Sequence, residues 1–173
     1  MFTSKMQRSF TGVGLLALTL FMAACGSDDP KPKTNSLYVR MGAKAGIEGV
    51  ADQMVANVGA EIGTGSSSVM KRSHQALVDA MTSVNGAPAP DPMRETRLRN
   101  NVVDQFTDIT GGPITYQGKS MLVAHTNMQV TEAEYAAWRG LLDDALAKKN
   151  IGAKEKAEFT TLIDAMKAEV VNH

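Results

Sequence analysis

Three histidines, His74, His125 and His173, are the residues of this chain best suited to metal binding or proton transfer. A neutral imidazole can ligate a metal, and it can act as a base near neutral pH. The histidines are widely separated and the single cysteine, Cys25, lies near the start, so the usual ligand spacing of a zinc site is missing. No phosphate-binding loop ending in Gly-Lys-Ser/Thr and no local hydrolase motif is present. The chemistry to explain is that of individual histidines.

His125 lies in a distinctive stretch, residues 111–134, which reads GGPITYQGKSMLVAHTNMQVTEAE. Two glycines and a proline should end the preceding helix, and a short segment then carries the histidine. Thr131 and Glu134 have the spacing of a capping box, which predicts the start of a new helix. One histidine on a short element between two longer helices is an arrangement that can hold a haem iron from one side.

Apolar residues recur at helical spacing through most of the chain, and no segment alternates as a strand does. The fold class predicted is all-α. The predicted helices cover residues 47–58, 69–81, about 93–110, 120–127, 131–149 and 154–171. The glycine- and serine-rich residues 59–68 and the proline-rich residues 84–92 are predicted to interrupt them.

Length and charge limit the class of protein. The chain has 173 residues, 43% of them hydrophobic, and no formal net charge. This is enough for one domain with a core. Balanced charge argues against nucleic acid as a partner, because phosphate binding usually requires a basic excess.

The N-terminus has the features of an export signal. Lys5 and Arg8 precede an apolar run, residues 10–24, which is short for a membrane span. Small residues before a lone cysteine resemble the processing site of bacterial lipoproteins, which implies cleavage before Cys25 and lipid on Cys25. Residues 1–24 are then a signal peptide, 25–36 a polar tether and 37–173 the folded domain. The expected location is the exported, periplasmic face of a membrane, with the outer membrane favoured in a Gram-negative cell. The alternative is an ordinary secretory signal with an incidental cysteine.

The run VDQFTDITGGPITYQGKSMLVAHTNMQVTEAEY resembles the C-terminal half of a truncated haemoglobin of the first group. The run LYVRMGAKAGIEGVADQMVANV resembles the first two helices of the same family. This resemblance implies a two-over-two helical sandwich around haem b.

The resemblance assigns His125 as the proximal ligand of the haem iron, the role that histidine has in globins. Met121 and Met128 would bracket it with apolar side chains. Tyr116 and Lys119 match positions near the haem edge or propionates. For Lys119, a solvated turn lysine is an equal alternative.

On the distal side, the resemblance assigns five residues to the pocket: Leu98, Val102, Phe106, Met54 and Val55. Many family members carry Phe and Tyr where this chain has Met54 and Val55, so the tyrosine hydroxyl that would bond bound oxygen is missing. Oxygen is then expected to leave faster or to oxidise the iron more readily, with carbon monoxide and nitric oxide less affected. The alternative for all five is ordinary core packing.

The connection between the second helix and the helix at 93–110 departs from the family. Residues 59–92 form a longer connection than usual and contain no Phe, Tyr or Trp. They contain His74, which is either a solvated or helix-capping residue or, less expectedly, a sixth ligand of the iron. Met70 and Met81 are weaker candidates for that position.

Three functions remain open from the sequence. The first is binding of a diatomic gas, oxygen, nitric oxide or carbon monoxide. The second is a haem-dependent redox enzyme, such as a nitric oxide dioxygenase or peroxidase-like protein, which needs an unidentified redox partner. The third is a helical lipoprotein that has lost its haem.

Overall fold

The computed structural model describes residues 31–173, and within them every regular element is helical. The all-α prediction is confirmed. The predicted signal peptide and Cys25 lie outside the described residues. The α-helices are α1 (Leu37–Arg40), α2 (Ala43–Ile62), α3 (Lys71–Met81), α4 (Arg94–Ile109), α5 (Met121–His125), α6 (Glu132–Lys148) and α7 (Ala153–Asp164). Two 3₁₀ turns cover Gly65–Ser67 and Lys167–Glu169.

The main core is formed by the apolar faces of the four longest helices, α2, α4, α6 and α7. Helix α2 packs against both α4 and α6. Ile47 and Leu142 are completely buried, and the ring of Phe106 on α4 meets that of Phe159 on α7 edge-to-face at 4.9 Å. Burial of such side chains contributes roughly 1.5–3 kcal/mol each. The helices that flank His125 in sequence are therefore rigidly placed.

Several helix boundaries differ from the prediction: α2 starts at Ala43, α3 at Lys71, and α5 covers only Met121–His125. The ends of α2 and of the last helix differ as well. Helix α2 continues through Gly59 to Ile62, so the break starts at Gly63. A single glycine costs only about 1 kcal/mol in a helix, and good helix formers follow it. The last helix ends at Asp164 instead of Val171, because the chain then turns and Asn172 N–H bonds the Val130 carbonyl at 2.9 Å.

The end of the predicted tether takes part in the fold. Ser36 accepts a hydrogen bond from Val39 N–H and caps α1, while Arg40 donates to the carbonyl of Asn35 at 2.8 Å. Tyr38 N–H then bonds the Thr110 carbonyl at 2.9 Å. These bonds fix the start of the domain against the loop that leads to His125. Residues 31–173 include no helix with the length and apolarity needed to cross a bilayer.

Candidate functional site

The loop between α4 and α5 is shaped by a close approach at Gly112. Gly111 ends α4 with a φ of 76°, the left-handed conformation favoured by glycine. A Cβ on Gly112 would lie 2.5 Å from Thr107 Cγ2 and 2.8 Å from Tyr38 Cδ2. Asp108 then accepts from Tyr116 N–H at 2.9 Å and holds the far side of the loop. The predicted Gly-Gly-Pro break therefore has a specific packing cause.

The loop delivers the chain to α5, where His125 has a defined orientation. Ser120 caps the helix by accepting from Val123 N–H at 3.3 Å. At the other end, Nδ1 of His125 lies 2.8 Å from the carbonyl oxygen of Met121. Because a carbonyl can only accept, the proton of the neutral ring is on Nδ1 and the lone pair is on Nε2. Metal-ligating histidines in proteins usually have this same bond from the second ring nitrogen.

Helix α5 has an apolar surface that little of the protein covers. None of its residues is buried, and Leu122 and Val123 are 44% and 56% exposed. Met121 and His125 are half-buried. Five apolar or imidazole side chains in one short exposed helix are costly unless a ligand or partner contacts them. The helix has the character of one side of a binding cleft.

The residues after His125, numbers 126–131, form a corner segment fastened from two directions. Asn127 and Gln129 have φ values of 69° and 49°, which non-glycine residues adopt rarely. From α3, Arg72 donates to the carbonyls of Met128 at 3.0 Å and Gln129 at 2.6 Å. On the other side, Gln129 N–H bonds the His173 carbonyl at 2.5 Å. His173 therefore has a structural contact that its terminal position did not indicate.

Arg72 also pairs with the carboxylate of Glu134, which is only 4% exposed. Glu134 completes the predicted capping box, because Thr131 N–H and Oγ1 both donate to it, at 2.8 and 2.9 Å. Burial alone would raise the pKa of the Glu134 carboxyl, but the bonds from Thr131 and Arg72 outweigh burial and hold that pKa below its usual value. The carboxylate is therefore charged at neutral pH.

The residues assigned to the distal side fall into two groups. Leu98 on α4 is 42% exposed, and Val102 and Val55 are half-buried. Phe106 and Met54 are buried in the main core, at 2% and 4% exposure. Leu98, Val102 and Val55 thus have surface available to a ligand, whereas Phe106 and Met54 serve the core packing that was the alternative for them.

His74 repeats the local arrangement of His125. Its Nδ1 lies 3.0 Å from the carbonyl oxygen of Met70, again four residues earlier, and its ring is half-buried on α3. Ser73 Oγ is a further neighbour at 3.2 Å. Met70 is 1% exposed, and Glu61 accepts from its backbone N–H, so the start of α3 is well fixed. Met81 is half-buried at the other end of the helix.

Tyr116 and Lys119 lie in the loop before α5. The Tyr116 ring folds onto Gly118, where a Cβ would overlap it, and burial together with Asp104 raises the pKa of the Tyr116 hydroxyl. Lys119 is exposed. Met128, which was assigned beside His125, is half-buried against the small cluster of Val130, Tyr135 and Val171.

Comparisons with known proteins bear on this geometry. A model of the bacterial-like globin family matches residues 66–172. The chain belongs to this globin family. Crystal structures of three single mutants of truncated haemoglobin from Tetrahymena pyriformis, all Fe(III) forms, share its fold. One mutant gives a TM-score of 0.59 at 16% identity, and the other two each give 0.56 at 14%. Each alignment covers 80% of this globin and 99% of the other chain. No curated protein matches.

The two-over-two truncated globin fold is thereby confirmed, and a globin family implies haem as the cofactor. The chain's own residues fit haem. His125 presents a free Nε2 lone pair, and α5 and α4, which lie on either side of the Gly-Gly-Pro loop in sequence, both carry exposed apolar side chains. Two surface clefts of about 460 and 340 Å³ are not lined by His125, although Pro113 and Ile114 of the preceding loop line the smaller one.

Arg72 and the C-terminal residues were missed at the level of sequence. Glu134 was recognised only as a cap. Arg72 contacts the carbonyls of Met128 and Gln129, which lie 56 and 57 positions later in the chain, so the sequence around Arg72 gives no signal of this pairing. One signal in α3 could have been read from the sequence: Met70 and His74 have the same Met-x-x-x-His spacing as Met121 and His125.

Proposed function

We propose that this chain is a truncated globin of the first group that holds haem b through His125 and binds a diatomic gas at the sixth position of the iron. One observation carries the proposal: Nδ1 of His125 is bonded to the Met121 carbonyl, which leaves Nε2 free to ligate. Haem supplies the iron that binds the gas, and the protein supplies the ligand and the walls.

The roles of the residues follow from their exposure. Met121 and Leu122 offer apolar contact on the His125 side, and Leu98 and Val102 offer it from α4. Lys119 is exposed and free of ion pairs within the described residues, so its ammonium would be available to pair with a haem propionate. Tyr116 shapes the loop by packing on Gly118.

Gas preference is proposed from the distal residues. Val55 has no hydroxyl to donate, and Leu98 and Val102 are equally apolar. Bound oxygen gains from a hydrogen-bond donor, whereas carbon monoxide gains much less, so this pocket favours carbon monoxide and nitric oxide relative to oxygen.

His74 is proposed as a ligand for the sixth position in the absence of gas. Its Nδ1 bond to Met70 leaves Nε2 free in the same manner as in His125. If His74 ligates, the ferrous protein without gas has a six-coordinate spectrum and His74→Ala converts it to five-coordinate. A five-coordinate wild type would exclude His74.

Export and lipidation are proposed from the N-terminal signal, with Cys25 as the lipidated residue and a membrane as the partner. Labelling cells with radioactive palmitate tests this assignment. The wild type is expected to incorporate label and Cys25→Ser to incorporate none. Equal labelling of both would contradict it.

The haem assignment is tested by titrating the haem-free protein with haemin and recording ferric, ferrous and carbon monoxide spectra. The wild type is expected to give a Soret band that shifts with carbon monoxide. His125→Ala should lose that spectrum. An unchanged spectrum in His125→Ala would remove His125 as the ligand, and no haem uptake by the wild type would support the haem-free alternative.

A further inference from the structure

Arg72 joins helix α3 to the corner segment that follows His125. Its guanidinium donates to the carbonyls of Met128 and Gln129, at 3.0 and 2.6 Å, and pairs with the buried carboxylate of Glu134. We propose that Arg72 is a positioning residue that fixes the corner segment and, through it, the orientation of His125. The contact of His125 with haem rests on the proposed function, while the fixing of the corner does not.

The corner segment needs such a contact because its backbone is unfavourable. Gln129 has a φ of 49° and Asn127 one of 69°. A left-handed residue other than glycine costs about 1–2 kcal/mol, and it persists where the surroundings determine it. Arg72 binds the carbonyl of Gln129, and the C-terminal residue binds its N–H. Both the N–H and the carbonyl of Gln129 therefore have hydrogen-bond partners.

The corner connects directly to His125. Met128 N–H bonds the His125 carbonyl at 3.0 Å, so the first hydrogen bond of the corner ends on the histidine itself. Helix α5 has no buried residue and thus little packing of its own. It is held by the 3₁₀ turn Lys167–Glu169, where Glu169 accepts from Leu122 N–H at 3.3 Å, and by the corner segment at its C-terminal end.

The set of acceptors favours arginine specifically. Two carbonyls and one carboxylate are met by two nitrogens of a planar fork, which an ammonium on a flexible stem cannot reproduce. Glu134 is buried and receives bonds from Thr131 as well, so the guanidinium is held at a fixed point on α6. The result is a three-way junction of α3, the corner segment and α6.

Hydrogen exchange in the haem-free full chain tests the fixing of the corner. Arg72→Ala and Arg72→Lys are compared with Arg40→Ala, a matched control. Arg40 likewise bonds one backbone carbonyl, that of Asn35, and two carboxylates, Glu155 and Glu158, but it joins α1 to α7. Loss of hydrogen bonds to a charged group, about 1.5–3 kcal/mol, should speed exchange of the Met128 amide about tenfold or more in Arg72→Ala. Arg72→Lys should exchange nearly as fast, and Arg40→Ala should match the wild type at Met128.

Equal exchange at Met128 in Arg72→Ala and Arg40→Ala would overturn the proposal. The haem-loaded protein gives a second reading through the iron–histidine stretching band of the ferrous form. That band should shift or broaden in Arg72→Lys and stay unchanged in Arg40→Ala. A band that stays unchanged in Arg72→Lys while exchange accelerates would show that the corner does not orient His125. If the wild type takes up no haem, the proposed function fails, and the exchange comparison still decides the role of Arg72.

Discussion

The His125 side of this globin and its opposite side are built by different means. The His125 side is specified by short-range features: a Gly-Gly-Pro break, a serine cap, a bond to a carbonyl four residues away and a capping box. The proposed opposite side draws on Val55 of α2, Leu98 of α4 and His74 of α3, which come from separate helices. Local geometry therefore orients His125, while tertiary packing decides which side chains of the proposed opposite side stay exposed.

Arg72 is the point where the two sides meet. It belongs to α3, yet its acceptors lie in the corner segment beside His125. A substitution in α3 can thus alter the surroundings of His125, although the two are far apart in sequence. The following predictions test how separate the two sides are.

The largest effect is expected on haem retention in His125→Ala, which is compared directly with His74→Ala. His125→Ala should reduce haem retention by more than the roughly 10–100-fold that loss of an outer-shell partner costs a metal site. His74→Ala should lose haem much more slowly than His125→Ala even if His74 is the sixth ligand, because it leaves Nε2 of His125 unaffected. Transfer of haem to excess apomyoglobin measures both rates. Similar haem loss from the two variants would show that the proposed division between the sides is wrong.

Gly112→Ala should destabilise the fold by about 1–3 kcal/mol, the usual cost of overpacking. Its Cβ would meet the Thr107 carbonyl oxygen at 2.8 Å and the Tyr38 ring at the same distance. Gly140→Ala is the matched control, because nothing lies within 4 Å of its Cβ in the middle of α6. The control should gain about 0.5–1 kcal/mol from helix propensity. Urea unfolding measures both, and equal changes would contradict the packing role of Gly112.

Val55→Tyr should slow oxygen release about five- to tenfold, since one added hydrogen bond is worth about 1 kcal/mol. Carbon monoxide release should change by less than about twofold, because that gas gains less from a donor. Val55→Phe adds the same ring without the hydroxyl and should not slow oxygen release. Stopped-flow ligand replacement measures these rates. Equal slowing by Phe and Tyr would mean that the ring, and not the hydroxyl, is responsible.

The smallest effect expected is a pH dependence at Glu134. Its folded-state pKa is below the ordinary value of 4.5, so the stability it contributes is present above that pH and is lost as pH falls through the folded pKa. The free energy of unfolding of Glu134→Gln should be lower than wild type by about 1 kcal/mol at pH 7, with the gap closing in acid. Glu132→Gln removes an exposed carboxylate of the same turn as a control. A gap that widens in acid would reverse the assignment.

The sequence was most informative where the determinants are local. Thr131 and Glu134 identified the start of α6, and the double glycine identified the end of α4, since caps and breaks act over three or four residues. The end of α7 at Asp164 was not predictable, because the cause is a bond to Val130, far away in sequence. The contact of Arg72 with the corner segment has the same long-range origin.

Site residues follow the same division. His125 was predicted as the ligand from its motif, and the structure adds the bond of its Nδ1 to the Met121 carbonyl one helical turn away, which the sequence did not indicate. Periodicity could not separate Phe106 and Met54, which pack in the core, from Leu98 and Val102, which keep exposed surface. All four share the apolar spacing of buried helix faces, and only tertiary packing distinguishes them: Phe106 meets Phe159 of α7, and Met54 lies in the main core.

Imidazole rescue of His125→Gly tests most directly whether Nε2 of His125 is the protein's ligand to haem. The iron–histidine stretching band of the ferrous protein is recorded for the wild type and for the variant with and without added imidazole. We expect the band in the wild type, its loss in His125→Gly, and its return with imidazole, because the small molecule replaces the missing ring. A band that persists in His125→Gly without imidazole would show that another residue ligates the iron and would contradict the account.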